Sequence, residues 1–393
     1  MIAKLKSKNL RGILVAGLVF YFVITPHVSW AQTTDYIFTE IHPPGWIGSR
    51  ATHITDSGMV LGYGSDGDGN SKGFLYSAGT YTEIIPSILT PPPPPGIDEW
   101  EFSVFIFEDI NNSGAVVGSV YGGAPPPDDP MGDYFYYSKN FLYSAGTYTE
   151  LTPPGYSMSG ASRINDSGVI LGEAVTMLPP PTAPYSTFSA CDINNNGDIA
   201  GIGYLLSGQR SVGIYNISTG TYTFSEPLPS GAGIEISVKE ISDNGVVVGT
   251  MRDWSSYPEQ PYETGFLYSE GIFTELIPPG MDASGFSAIN SNGTTAVGVG
   301  YADWSDEFMF EGFTTTKGIL YSGGTYTELI PPGKSGAVIY DINNSGNMVG
   351  YAWASPERGF MVSVAPEPIS SILFITGGAI LAGRQSLKKR KRV

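Results

Sequence analysis

The chain has 393 residues, 41% of them hydrophobic and 12% aromatic, with 51 glycines, 30 prolines and one cysteine. Such a length can bury a sizeable core, and so much Gly and Pro points to many short strands joined by turns rather than to a helical protein. A single cysteine excludes an internal disulfide or a cysteine-based metal site, and three histidines leave little for a His-rich metal site or a His-dependent triad. The formal charge of −17 understates the acidity of the body. Ten of the 20 basic residues lie at the two ends, so residues 32–383 hold 10 basic residues against 37 acidic ones, a net charge of −27. That surface repels nucleic acid and anionic lipid, and it attracts cations.

Residues 1–31 have the three-part form of a signal peptide. Lys4, Lys6, Lys8 and Arg11 precede the apolar run Ile13 to Ile24, and Pro26 and the small residues Ser29 and Ala31 follow. Export by the secretion machinery is expected, with cleavage between Ala31 and Gln32. An uncleaved anchor is the alternative, although the run is short for a ~20-residue span.

From residue 32 to 363 the chain is repetitive. The sequence GILYSGGTYTELIPPG at Gly318 to Gly333 returns with small changes at Gly265 to Gly280, Asn140 to Gly155 and Gly73 to Ser87, and in a worn copy at Gly213 to Phe224. Each copy reads as a β-hairpin: an aromatic and β-branched run, a tight turn ending in Gly, then alternating Thr-Tyr-Thr-Glu-Leu. Proline, which has no N–H for a ladder, closes it. A second element, Ile-x-x-x-Gly rich in Asn and Asp, occurs seven times, beginning at Ile54, Ile110, Ile164, Ile193, Ile241, Ile289 and Ile342. Asn and Asp that tolerate left-handed backbone or bond their own turn, with Gly at positive φ, make each a strand reversal. Apolar strands flank it, such as Val246-Val247-Val248-Gly249.

One unit therefore has four strands: a and b around the Asn/Asp turn, then the c–d hairpin. Periods near 50 residues with four strands each predict an all-β fold, a β-propeller of six or seven blades. The 29-residue gap from Ile164 to Ile193 lacks a recognisable c or d strand, so one blade is stunted or is an inserted hairpin. The last unit stops after its c strand at Gly359 to Ser363, while Tyr36 to Gly45 is a d strand with no c strand before it. The N-terminal strand is thus expected to complete the last blade and close the ring.

In this meander the b–c loops share one face of the ring and are predicted to be long. They carry Asp253 and Trp254, Asp303 and Trp304, Trp353, and Tyr134. Aromatic planes beside carboxylates suit a sugar-binding surface, with rings stacking on C–H groups and acids accepting from hydroxyls. Extracellular polysaccharide is the expected partner; the bland alternative is that these aromatics pack their own loops. Asp66, Asp68 and Asn70 alternate like the oxygen ligands of a calcium loop, but Ser71 replaces the sixth-position Gly and Ser77 the closing Glu, so a polar turn is the simpler reading. No cofactor is otherwise implied. There is no Gly-x-Ser-x-Gly elbow, P-loop or zinc helix, and the Thr-Glu pairs at Glu83, Glu150, Glu275 and Glu328 recur in register as structural repeats do.

Residues 364–393 contain Pro366-Glu367-Pro368, the apolar stretch Ile369 to Gly383 and a basic cluster from Arg384 to Arg392. The prolines hold the entry extended, the apolar stretch would form a membrane-spanning helix, and the basic tail stays cytoplasmic. In this order the segment resembles the PEP-CTERM sorting signal of bacterial exported proteins. That resemblance implies a transient single-pass anchor, recognised by an exosortase and processed near Pro366, Glu367 and Pro368; a permanent anchor is the alternative. The repeats, Ile-Asn-x-x-Gly-x-Val-x-Gly followed by Phe-Leu-Tyr-x-x-Gly, are similar to the HAF extracellular repeat family from Tyr36 to Ser363. The His-Ala-Phe tripeptide itself is replaced, as by Lys72-Gly73-Phe74. The expected protein is an exported, non-catalytic propeller at the cell envelope or outside the cell that binds polysaccharide. A coat or matrix protein without soluble ligand and a propeller glycosidase or lyase are the alternatives.

Overall fold

The computed structural model describes residues 36–365 apart from 94, 96, 98–99, 101, 126–134, 152–159, 173–177, 229–233, 254–261, 306–311 and 354. The expected signal peptide, its Ala31–Gln32 cleavage site and the Pro366-Glu367-Pro368 segment lie outside the described residues.

Every repeat folds as its pattern requires. The first strand, β1 (Tyr36–Ile41), stands apart from its neighbours in sequence. Blade 1 comprises β2 (Gly48–Ile54), β3 (Val60–Ser65), β4 (Ser71–Ser77) and β5 (Thr80–Ile84); a short 3₁₀ turn at Pro86–Leu89 follows. Blade 2 comprises β6 (Phe102–Ile110), β7 (Val116–Ala124), β8 (Phe135–Ser144) and β9 (Thr147–Glu150). Next comes a two-stranded wedge, β10 (Ala161–Ile164) and β11 (Ile170–Gly172). Blade 3 is β12 (Tyr185–Ile193), β13 (Asp198–Leu205), β14 (Arg210–Asn216) and β15 (Thr221–Phe224). Blade 4 is β16 (Ile234–Ile241), β17 (Val247–Asp253), β18 (Tyr262–Ser269) and β19 (Ile272–Leu276). Blade 5 is β20 (Ala283–Ile289), β21 (Thr295–Ser305), β22 (Gly312–Ser322) and β23 (Thr325–Leu329). Blade 6 is β24 (Ala337–Ile342), β25 (Met348–Ala352) and β26 (Arg358–Val364), completed by β1. The molecule is a six-bladed β-propeller with the wedge set between blades 2 and 3.

Closure follows the expected route. β1 pairs antiparallel with β26 in continuous register from Tyr36 opposite Val364 to Ile41 opposite Gly359. Phe38 and Phe360 are buried with ring centroids 5.7 Å apart, inside a cluster that also takes Ile339, Leu329 and Val362. Apolar surface is stored between blades rather than in one central core. Phe74, Phe141, Phe266 and Phe360, from the third strands of blades 1, 2, 4 and 6, are fully buried where each of these blades meets the blade before it. The wedge buries Ile164 against blade 2 and Leu171 against blade 3, so two strands suffice to fill its sector.

The c–d hairpins turn through left-handed residues, for example Ala78 (φ 48°) and Gly79 (φ 87°), the pair of positive φ values that a two-residue hairpin needs. In the Asn/Asp turns only the closing Gly has positive φ. The Asn at the turn's start acts by bonding instead: Asn111 Oδ1 accepts from the N–H groups of Ser113 at 3.1 Å and Ala115 at 3.0 Å. Cross-strand pairs Lys139–Glu150 at 3.0 Å and Lys317–Glu328 at 2.9 Å account for the repeated glutamates as surface pairs.

Two expected loops are shorter than their composition suggests. Asp253 pairs with Tyr262 at the end of the β17–β18 ladder. Asp303 and Trp304 belong to β21, whose ladder with β22 runs on to Ser305 opposite Gly312. Aromatic and β-branched residues such as Tyr301, Thr315 and Thr316 favour extended backbone, and they prolong the sheet where a loop was expected.

Because Phe38 holds the closing strand, Phe38→Ala should lower unfolding free energy by about 3–5 kcal/mol. Urea unfolding of the purified protein measures this; a loss below ~1 kcal/mol would mean that the ring does not depend on this contact.

Candidate functional site

The first strand of every sheet runs innermost, with its outer edge facing the axis. Seven times this strand bulges two residues before the repeated Ile of its Asn/Asp turn, at Thr52, Glu108, Ser162, Cys191, Lys239, Ser287 and Tyr340. The extra residue re-aims the next side chain, just before the repeated Ile, toward the axis. Each bulge also presses its strand onto the second strand, which carries Gly at the facing position. A Cβ on Gly118 or Gly350 would collide with the carbonyl of Ile106 or Val338. The repeated Val-x-Gly is thus the partner of the bulge.

The residues so aimed are His53, Asp109, Arg163, Asp192, Glu240, Ala288 and Asp341. All of them line a cavity of about 150 Å³ at the turn end of the channel. Asp109 accepts from its own Ile110 N–H at 2.8 Å and, across the boundary, from the wedge's Ile164 N–H at 2.8 Å. Asp341 does the same with Ile342 at 2.7 Å and Ile54 of blade 1 at 2.7 Å. Asp192 takes Ile241 N–H at 2.8 Å and Glu240 takes Ile289 N–H at 2.8 Å. Four of the seven boundaries are therefore stapled by a carboxylate on the next sheet's free inner edge. The boundary from blade 5 to blade 6, where Ala288 stands, is bridged by Ser287 Oγ donating to Ile339 O at 2.8 Å.

Arg163 comes from the wedge. Its Nε lies 3.4 Å from Asp192 Oδ1, and its Nη1 donates to Ser162 O at 2.7 Å. Protein surrounds these groups, and the surface they keep opens onto the channel. Burial opposes the Arg163 charge, but Asp192, Asp109, Glu240 and Glu108 together outweigh it and raise its pKa. Burial likewise pushes Asp109 up to about 7 and Asp341 to about 6, despite the N–H donors each accepts. It raises Asp192 against the pull of Arg163, and it takes Glu240 well above the usual carboxylate range with Asp341 and Asp192 adding to the effect. Burial, then Arg163, depresses His53 to about 3, so its imidazole is neutral at ordinary pH.

Around the cavity mouth the Asn/Asp turns form a second ring. Asn111, Asn165, Asn194 and Asn343 each donate Nδ2 to a carbonyl of the next turn, at 2.9–3.1 Å. Outside them Asp56, Asp166 and Asp243 accept backbone N–H groups from the turns before them, as in Asn344 N to Asp56 Oδ1 at 2.9 Å. The wedge takes its full place in this ring through Asn165 and Asp166.

The described residues expected on the opposite, loop face lie on or beside three different sheets. Trp353 is 49% exposed just after β25, its N–H bonded to Gly336 O at 3.0 Å. Asp253 ends β17 and Asp303 and Trp304 lie within β21, while Trp254 and Tyr134 fall outside the described residues. In the expected calcium turn, Asp66 accepts from Asn70 N at 2.9 Å and Asp68 N at 3.0 Å, and Lys72 Nζ lies 3.0 Å from its Oδ2. Its carboxylate is committed to a turn and an ion pair. Among the described residues no three His, Cys, Asp or Glu side chains are placed to hold a metal ion. The channel residues were missed in the sequence reading, and the signal was available: a varying polar residue directly before each repeated Ile.

No protein-family model matches the chain, and neither does any curated protein sequence. Among solved structures, it is similar to a protein of unknown function from Dyadobacter fermentans, at 12% identity over 85% of this chain and 99% of that one, with a TM-score of 0.40. It is also similar to AofleA from Arthrobotrys oligospora, at 10% identity over 82% and 91%, with a TM-score of 0.35. A third is the β-propeller domain of the Trilobed protease from Pyrococcus furiosus, at 8% identity over 82% and 86%, with a TM-score of 0.33. At these identities the likeness concerns the fold alone.

The raised carboxyls set a sign for pH dependence. A group whose folded pKa lies above its unfolded value stabilises the protein fully at low pH and loses that contribution as pH rises through the folded pKa. Asp109 therefore lowers stability as pH rises from about 4, its unfolded value, to about 7. His53, shifted the other way, adds stability as pH rises from about 3 to 6.5, so the fall in melting temperature that belongs to Asp109 is read from pH 6.5 to about 7.5, above the His53 window. In Asp109→Asn this fall should shrink; an unchanged slope in thermal melts would show that Asp109 does not titrate there.

Proposed function

We propose that the protein is an exported β-propeller, sorted to the cell envelope or exterior, that serves as a non-catalytic binding protein. The observation that carries binding over catalysis is the employment of the channel carboxylates: Asp109, Asp192, Glu240 and Asp341 each hold a backbone N–H of the neighbouring sheet. A general acid or base must exchange its proton with a substrate, and a side chain tied to the edge of the next blade is poorly placed to do so. The leader of residues 1–31 and the Pro366-Glu367-Pro368 tail support export and a membrane-anchored stage processed by an exosortase-type enzyme. Extracellular polysaccharide is the partner proposed for the loop face, where the exposed Trp353 ring offers a surface for sugar C–H groups.

Trp353→Ala should be retarded less than the parent protein in a gel containing envelope polysaccharide, that is, its retention should weaken by about 1–3 kcal/mol per lost stacking contact. Equal retention of the two proteins, or none in the parent, would remove polysaccharide from this face. The intact mass of the protein recovered from the cell exterior should match cleavage after Ala31 and near Pro368. An uncut mass in the cytoplasmic fraction would end the export reading.

A further inference from the structure

The channel cavity has hydrogen-bonding capacity that its own walls leave unused. Among the described residues, Arg163 uses one hydrogen bond, from Nη1 to Ser162 O, and its Nη2 has no partner. His53 bonds Thr52 Oγ1 through Nδ1 at 3.1 Å, and its Nε2 has none. Glu240 accepts Ile289 N–H at Oε2, and its Oε1 is unused. These groups come from blade 1, the wedge and blade 4, and they line one cavity that opens along the channel. All three are half-buried, and polar groups that the protein leaves unpaired around one cavity are met there by water or by a ligand.

They also break the repeat. Four boundaries use the carboxylate staple, whereas Arg163 meets blade 3 through its ion pair with Asp192 and His53, among the described residues, bonds only Thr52 of its own strand; both stand where the ring could have carried two more carboxylates. The guest must meet donors and acceptors spread around a wall, which a ring of hydroxyls does and a linear ion does not. The cavity holds on the order of ten waters by volume, room for one sugar ring and not for a chain. Its walls carry the carboxyls of Asp109, Asp192, Glu240 and Asp341 against the cations of Arg163 and Lys239. That balance disfavours an acidic guest and favours an amine. The elevated carboxyl pKa values agree: the cavity lacks countercharge, and a bound ammonium would supply it.

We propose that the channel cavity binds a single monosaccharide unit, taking an amino sugar in preference to a neutral or acidic one. This site lies at the turn end of the channel, remote from Trp353 on the loop face, and the two bind independently.

Calorimetric titration of the purified protein with glucosamine, glucose and glucuronate, three rings of one size and different charge, tests it. Glucosamine should bind about tenfold more tightly than glucose, the advantage of one charge-assisted hydrogen bond, and glucuronate should not bind. Glu240→Gln should bring glucosamine down to the level of glucose. Lys239→Gln, at an exposed position that staples nothing, should raise glucosamine affinity several-fold and keeps the test intact if the Glu240 variant fails to fold. Trp353→Ala should leave all three titrations unchanged, which separates this site from the polysaccharide face. Absence of binding to any of the three, tightest binding of glucuronate, or an order of affinities untouched by Lys239→Gln would overturn the proposal.

Discussion

The structure depends on how it satisfies the inner edge of its innermost strands. A propeller places these edges around a narrow axis, where each presents backbone N–H groups that no further strand can pair. Here a bulge turns one side chain inward beside each edge, and at four boundaries that side chain is a carboxylate bridging to the next sheet. Asp109 and Asp341 each satisfy both the donor of their own following Ile and that of the neighbouring sheet. The facing Gly, the Asn that bonds its own turn and the Asn side chain reaching for the next carbonyl all serve the same geometry. An array of nearly independent sheets becomes a ring whose members register on one another through the hub.

The same constraint explains why a two-stranded wedge is tolerated. What the ring needs from each sector is an inner strand, a turn and enough apolar surface to fill the space between blades. β10 and β11 bring Ile164 and Leu171 for the packing and Asn165 and Asp166 for the turn ring, so the outer strands are dispensable there. Among the described residues, the wedge also contributes the one guanidinium of the hub. Arg163 offsets part of a carboxylate ring whose mutual repulsion, in a body of net charge −27, would otherwise oppose closure.

Scaffold and cavity share residues: Asp109, Asp192, Glu240 and Asp341 hold neighbouring sheets together and also line the cavity. His53 Nε2, Arg163 Nη2 and Glu240 Oε1 have no hydrogen-bond partner among the described residues, and their side chains line the same space. The loop face behaves otherwise: β17 and β21 extend through Asp253, Asp303 and Trp304, residues that composition alone assigns to loops. Hub and rim are thus two distinct surfaces of one ring.

Much of the fold was legible in the sequence, because it depends on local periodicity. Tyr-Thr-Glu alternation makes strands, the paired turn residues make hairpins, and the missing d strand after Phe360 has its complement at Tyr36. These are properties of neighbouring residues, and they survive translation into three dimensions unchanged. The channel was not legible in the same way. Whether the residue before Ile points to the axis or into a blade depends on a bulge, and the bulge is defined by the register of one strand against the next. That seven such positions, 29 to 56 residues apart along the chain, meet around one cavity is decided only when β1 pairs with β26 and the ring closes.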